Sequence, residues 1–184
     1  MNTKYLITAF LLLLATIAAA QRPNIPKIAV YVSVGDALGL TEKHTVPNVA
    51  SSKQDMQSQV LHIKGLYQLN TAFAFGLGAG YEVPGSSSYA ILPIYASAHY
   101  HPIQKHKNFF LYSDLGYGIK LNISYPGLHY EIGVGYQLMV LRHFGFVFNA
   151  GYNLKQLRNQ YDDYIDRNYN TSRHSLTLSA GILF

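Results

Sequence analysis

The 184-residue chain has no cysteine, so no disulfide can hold it together and no lipid can be attached through a thiol. Its stability has to come from ordinary burial or from a lipid surround. Charge is also scarce, at 12% of residues with a net charge of +5, and no cluster of lysine and arginine occurs. That sparseness argues against a nucleic-acid partner in spite of the basic balance. After Gln21 no apolar run is long enough for a membrane-spanning helix, which needs about 20 residues. Linkers and low-complexity tracts are missing too, and the G-x-G stretches lie inside strand-like segments, the wrong setting for a dinucleotide or phosphate cradle.

What is there is dispersed hydrophobicity: 49% apolar residues, including 16 tyrosines and 9 phenylalanines, with 15 glycines between them. The first residues are different. "MNTKYLITAFLLLLATIAAAQ" has Lys4 as its single charge, an apolar run from Tyr5 to Ile17, and small residues before Gln21. This is the layout of a secretory signal peptide cut after Ala20, so residues 1–20 are expected to be removed and 21–184 to form one exported domain.

In "LHYEIGVGYQL", Leu128, Tyr130, Ile132, Val134, Tyr136 and Leu138 alternate with His129, Glu131, Gly133, Gly135 and Gln137. A helix would smear these apolar side chains around its circumference, whereas a strand sorts them onto one face. "FGFVFNAGYNLK" repeats the pattern after a short break at His143, which makes the two a tight hairpin. Reading outward gives eight segments, near 27–35, 60–69, 72–83, 89–100, 109–120, 128–140, 144–158 and 175–184, with short and long connections alternating. The longest connections, 36–59 and 159–174, fall on one side, and both chain ends fall on the other. The expected fold is all-β, an eight-stranded antiparallel up-and-down barrel.

Such a barrel can face either way. A soluble barrel turns its apolar face inward under a charged coat, and a membrane barrel turns that face to lipid. The non-apolar face here includes Gly76, Gly78, Gly80, Gly116, Gly118, Gly133, Gly135 and Gly151, too bare for a soluble coat but suited to a narrow lumen where small residues make room for large ones. Two aromatic rows fit interfacial girdles: Tyr81, Tyr89, Tyr117, Tyr130 and Tyr152 toward the long loops, and Tyr67, Tyr100, Phe109, Phe144 and Phe184 toward the short turns. The barrel is therefore expected to be transmembrane. Pro93, inside a strand of a closed sheet, removes a ladder hydrogen bond and implies a bulge or break.

With the signal peptide, the segments "FGLGAGYEV", "ILPIYASAHYH", "FFLYSDLGYGIK" and the closing "SLTLSAGILF" resemble the small outer-membrane β-barrel proteins of Gram-negative bacteria, similar in layout to the OmpA and OmpX types. The resemblance implies residence in the cell outer membrane, contact with outer-membrane lipid and lipopolysaccharide, and a monomer. It also implies Phe184 as the C-terminal signal read by the barrel assembly machinery. An activity does not follow, because one fold hosts many functions. Loops that bind an extracellular ligand or stabilise the envelope are the leading reading, with a small channel or a lipid A-modifying enzyme as alternatives.

Several side chains raise chemical possibilities. Lys64, Glu82, Asp114, Lys120, Glu131 and Lys155 all point inward in this register and are expected to form a charge network that plugs the lumen. A turn centred on His143 sets Glu131 directly opposite Lys155, with Lys120 on its other flank. His99, His101 and His106 have a spacing that could ligate a metal, but no carboxylate or cysteine accompanies them, and a polar periplasmic rim is the plainer reading. Ser172, His174 and Asp36 could meet at the outer rim as nucleophile, base and orienting acid if the first and last strands close side by side. Asp162, Asp163 and Asp166 lack the glycine and spacing of a calcium loop. No catalytic residue, metal or cofactor is assigned from these patterns.

Overall fold

A computed structural model of the chain describes residues 27–44, 57–85, 90–103, 108–119, 126–141, 143–162 and 167–184. The signal-peptide segment lies outside them, as do Tyr89, His106, Lys120, Asp163 and Asp166. Eight strands form one closed antiparallel barrel in chain order: β1 (Ile28–His44), β2 (Ser58–Gln68), β3 (Phe73–Pro84), β4 (Pro93–Tyr100), β5 (Phe109–Gly118), β6 (Gly127–Leu141), β7 (Phe144–Asp162) and β8 (Arg167–Leu183). Closure is made by β1 against β8, from Tyr31 opposite Leu183 to His44 opposite Thr171.

Alternation along each strand fixes the two faces, because successive side chains point to opposite sides of a sheet. Along β2, Val60, His62, Lys64 and Leu66 are buried while Leu61, Ile63, Gly65 and Tyr67 are exposed. The exposed set is apolar all the way round: Val34, Ile63, Leu77, Ile94, Leu115, Val134, Phe148 and Leu178 stand on eight different strands. Leu77, at 70% exposure, is left largely uncovered by protein. A belt of this extent in water would be a severe aggregation hazard, whereas in lipid it is the solvated surface. Tyr67, Phe73, Tyr100 and Phe184 stand exposed near the short-turn end, and Tyr81, Tyr117 and Tyr152 nearer the other.

The inward face is filled. Glycines there admit rings from across the lumen: a methyl group at Gly78 would overlap the ring of Tyr95, and one at Gly135 would overlap Phe110. Near the short-turn end Ala29, Tyr31, Leu66, Ala74, Phe110, Tyr112, Met139, Val147 and Leu183 pack into an apolar floor. The tight turn from β2 to β3 is held by Asn70, whose side-chain oxygen accepts from the amides of Ala72 (2.8 Å) and Phe73 (2.9 Å).

Four boundaries differ most from the sequence reading, three by extension and one by shortening. β1 continues past Gly35 to His44, β7 continues past Arg158 to Asp162, and β8 begins at Arg167 rather than Ser175. Beyond Leu40 in β1, and throughout the added parts of β7 and β8, these extensions carry no apolar alternation, yet their backbone ladders persist, so the long connections are shorter than periodicity suggests. β4 begins at Pro93, with only an isolated bridge between Glu82 and Ile91 before it, a break of the kind that the missing proline N–H requires.

Candidate functional site: the lumen

The lumen is the one place where the described residues concentrate buried charge. Lys64 from β2 reaches across to Asp114 on β5, 2.5 Å from Nζ to Oδ2, and Ser97 on β4 donates to the other oxygen at 2.5 Å. Lys155 from β7 pairs with Glu82 on β3. Arg173 from β8, buried near the outer end, lies 3.3 Å from Glu42 of β1 and 3.5 Å from Ser58 Oγ of β2. Among the described residues Glu131 has no lysine or arginine bonded to it. It accepts instead from Tyr112 OH at 2.6 Å and from Asn153 Nδ2 at 2.7 Å. Lower down, Tyr31 OH donates to Gln137 Oε1 at 3.1 Å, joining β1 to β6 across the barrel. Burying ions is costly unless they are paired or hydrogen-bonded, and these bonds supply most of that while spanning the lumen from wall to wall, leaving Glu82 Oε1 and Arg173 Nε without a partner among the described residues.

Of the sequence-derived site residues, Lys64, Glu82, Asp114, Glu131 and Lys155 all lie buried in the lumen; Lys120 is outside the described residues. Their pairing differs from the one the sequence suggests. Glu131 faces Asn153, and Lys155 faces His129. The physical reason is a pair of small register changes: Leu141 pairs with Phe144 at the turn, and a bulge between Met139 and Leu141 shifts the ladder again. The lysine that was expected beside Glu131 therefore sits one inward position higher and takes Glu82.

The other candidates separate. His174 lies opposite Thr41, while Asp36 lies opposite Leu178, four residues further down β8. At about 3.3 Å per residue that is roughly 13 Å, so the register does not assemble Ser172, His174 and Asp36 into a triad. The neighbour that His174 Nδ1 does find is the hydroxyl of Tyr152. His99 and His101 are buried inside, not on a polar rim, and both pack near Phe110. Among the described residues no three His, Cys, Asp or Glu side chains are close enough to hold a metal ion. Asp162 pairs through its backbone with Arg167.

Sequence reasoning missed four lumen groups that matter here: His62, His129, Arg173 and Glu42. His62 and His129 were detectable, since each stands two residues before an inward charge, Lys64 and Glu131 respectively. Arg173 was hidden by reading its segment as loop. Glu42 has the parity of outward Asp36, and the bulge between Gly39 and Thr41 turns it inward.

No protein-family model matches the chain, and no curated protein matches it. Solved structures do. The barrel is similar to Ail, the attachment invasion locus protein of Yersinia pestis, at 16% identity over 86% of this chain and 100% of that one, with a TM-score of 0.50. Weaker matches include a de novo designed transmembrane β-barrel at 11% identity, covering 86% of this chain and 98% of that one (TM-score 0.40), and the outer-membrane protease OmpT of Escherichia coli at 10%, covering 91% and 99% (TM-score 0.36). The chain thus has the fold of the eight-stranded transmembrane β-barrels.

Proposed function

We propose that this chain is an integral outer-membrane protein of a Gram-negative cell, without enzymatic activity, whose closed barrel anchors its outer-end strands and loops for binding at the cell surface or for envelope stability. The observation that carries the reading is the opposition of the two faces: an unbroken apolar and aromatic exterior around a lumen crossed by the Lys64–Asp114 and Lys155–Glu82 pairs. An exterior of this kind needs lipid, and a lumen so crossed leaves no path for ions. The attachment role in the name of the Yersinia pestis barrel is in keeping with this reading. Lipid and lipopolysaccharide are its surround, the monomer its working form, and Phe184 the residue that the assembly machinery reads.

Fractionation with heat-modifiable gel mobility tests the location: the protein should stay in the outer membrane and migrate as a folded band that shifts on boiling. Planar-bilayer recording separates the channel alternative, since the purified barrel should give no stable conductance. The enzyme alternative requires altered lipid A on mass spectrometry that disappears in His174→Ala; unchanged lipid A in cells with and without the protein supports a non-enzymatic barrel.

A further inference from the structure

Four histidines lie buried in the described lumen, His62, His99, His101 and His129, and two of them pack as rings without a polar partner. His99 of β4 lies nearly parallel to Phe110, with ring centroids 4.5 Å apart and planes 10° apart, and neither ring nitrogen has a hydrogen-bond partner among the described residues. His129 of β6 packs against Tyr95 at 5.4 Å and His62 at 6.2 Å, again with both nitrogens unpartnered. An uncharged imidazole stacks in such a place as a flat, mostly apolar disc. A protonated one is an ion, and a buried ion without a counter-charge is expelled or drags water in.

What each ring faces decides how the lumen responds to protons. Around His99 stand Tyr31 of β1, Lys64 of β2, Ala74 of β3, Phe110 and Tyr112 of β5, and His101 of its own strand, with no carboxylate among them. His129 faces His62 and Lys64 of β2, Tyr95 of β4, Gly116 of β5 and Lys155 of β7; the charged groups are both cations. His62 is different. Besides Ser33 of β1, Gly80 of β3, Tyr95 of β4, Lys64 and Lys155, it faces Asp114 of β5 and Glu131 of β6. Those two carboxylates are direct cross-strand partners, with Lys64 bonded to Asp114 alone. The described lumen holds four carboxylates (Glu42, Glu82, Asp114 and Glu131) against three fixed cations (Lys64, Lys155 and Arg173), so one negative charge is left over, at the layer where His62 sits.

We propose that the plug is acid-labile: His62 takes the first proton against the spare carboxylate charge, and His99 and His129, which have only cations and neutral groups beside them, open the lumen when they take the next. The proposal rests on the closed-lumen reading above. The first proton balances the layer and leaves the barrel shut. Later protons have no anion to meet and push the rings off Phe110 and Tyr95 into widening, hydrated space, so acid gives a silent step followed by an opening step.

Planar-bilayer recording of the purified folded barrel from about pH 7.5 to about pH 5, a range that spans imidazole protonation, tests this. Silence at the upper end and discrete openings in acid are expected. The double variant His99→Phe, His129→Gln should lose the acid openings, because it keeps the ring stack and removes both protonation sites. Glu131→Gln should shift the onset toward neutral pH, because the first proton then has less charge to balance it. Conductance already present at pH 7.5 overturns the closed-lumen reading itself. A barrel silent at both ends of the range, or a double variant that opens at the same pH as the unmodified protein, overturns the acid switch alone. Imidazole NMR of the unmodified protein needs no variant: His99 and His129 protonating together with the openings supports the switch, and both rings charged without openings defeats it.

Discussion

Lys64 shows what a single residue does in a lumen this narrow. Its ammonium bonds Asp114 and lies 4.7 Å from the centre of the Tyr112 ring, so its charge is met both by an anion and by an aromatic face. Truncation to alanine leaves Asp114 buried with only Ser97 and should cost about 3–5 kcal/mol, whereas replacing both partners by apolar residues of similar volume should cost far less. Unfolding in urea, with the protein in liposomes, distinguishes the two. On the outer face the terms reverse. Val134→Arg puts a charge into mid-bilayer lipid and should destabilise by about 2–4 kcal/mol, while Gly135→Ala, one residue on, drives a methyl group into Phe110 and acts by crowding. Gly135→Ala paired with Phe110→Leu should then recover part of the loss, and no lumenal change should rescue Val134→Arg.

At the scale of the element, β8 makes the seam that closes the barrel. It pairs with β7 on one side and β1 on the other, and the final residue is part of the ladder: the Val30 amide donates to the Phe184 carbonyl at 2.7 Å, and the Phe184 amide donates to the Val30 carbonyl at 3.0 Å. An end that would otherwise fray is thereby tied down. Deleting Phe184 would remove these bonds together with the ring, so Phe184→Ala is the cleaner test of the assembly signal. It should slow assembly in cells, read as the heat-modifiable band, with little loss of stability after refolding in detergent; equal losses in both settings would assign the residue a purely structural part. Hydrogen exchange should divide β8 itself, with amides from 174 to 183 protected within the belt and those from 167 to 170 exchanging faster beyond it. That division also marks what could be read from the amino acids. Between 174 and 183 one face touches lipid, so Leu176, Leu178, Ala180 and Ile182 announce the strand. From 167 to 172 the same strand has no apolar face to write into the sequence, and its ladder is invisible to periodicity. Bulges are the second blind spot, since the extra residues near Gly39 and Val140 flipped Glu42 inward and moved Lys155 away from Glu131.

For the molecule as a whole, the inside-out arrangement was legible from the pairing of glycine-rich and apolar faces, and the inward direction of Lys64, Glu82, Asp114, Glu131 and Lys155 followed from parity alone. Which charge meets which did not follow, because Lys64–Asp114 and Lys155–Glu82 are contacts across the lumen, between strands that are not neighbours in the sheet. Adjacent-strand reasoning reaches partners beside a residue and never those opposite it. The same limit hid the packing of His129 on Tyr95, which stand on strands with β5 between them; the stack of His99 on Phe110, by contrast, lies between paired strands and was within reach of the register.

The central claim, apolar face to lipid and polar face to a closed lumen, is tested most directly by site-directed spin labelling along β8. The chain has no cysteine, so each introduced one is its single thiol. Labels placed one at a time from 175 to 182 in liposomes should alternate with a period of two: positions 176, 178, 180 and 182 open to oxygen dissolved in the bilayer, and positions 175, 177, 179 and 181 shielded from oxygen and from aqueous nickel chelate alike. Nickel access at the even positions, or no alternation at all, would contradict the account.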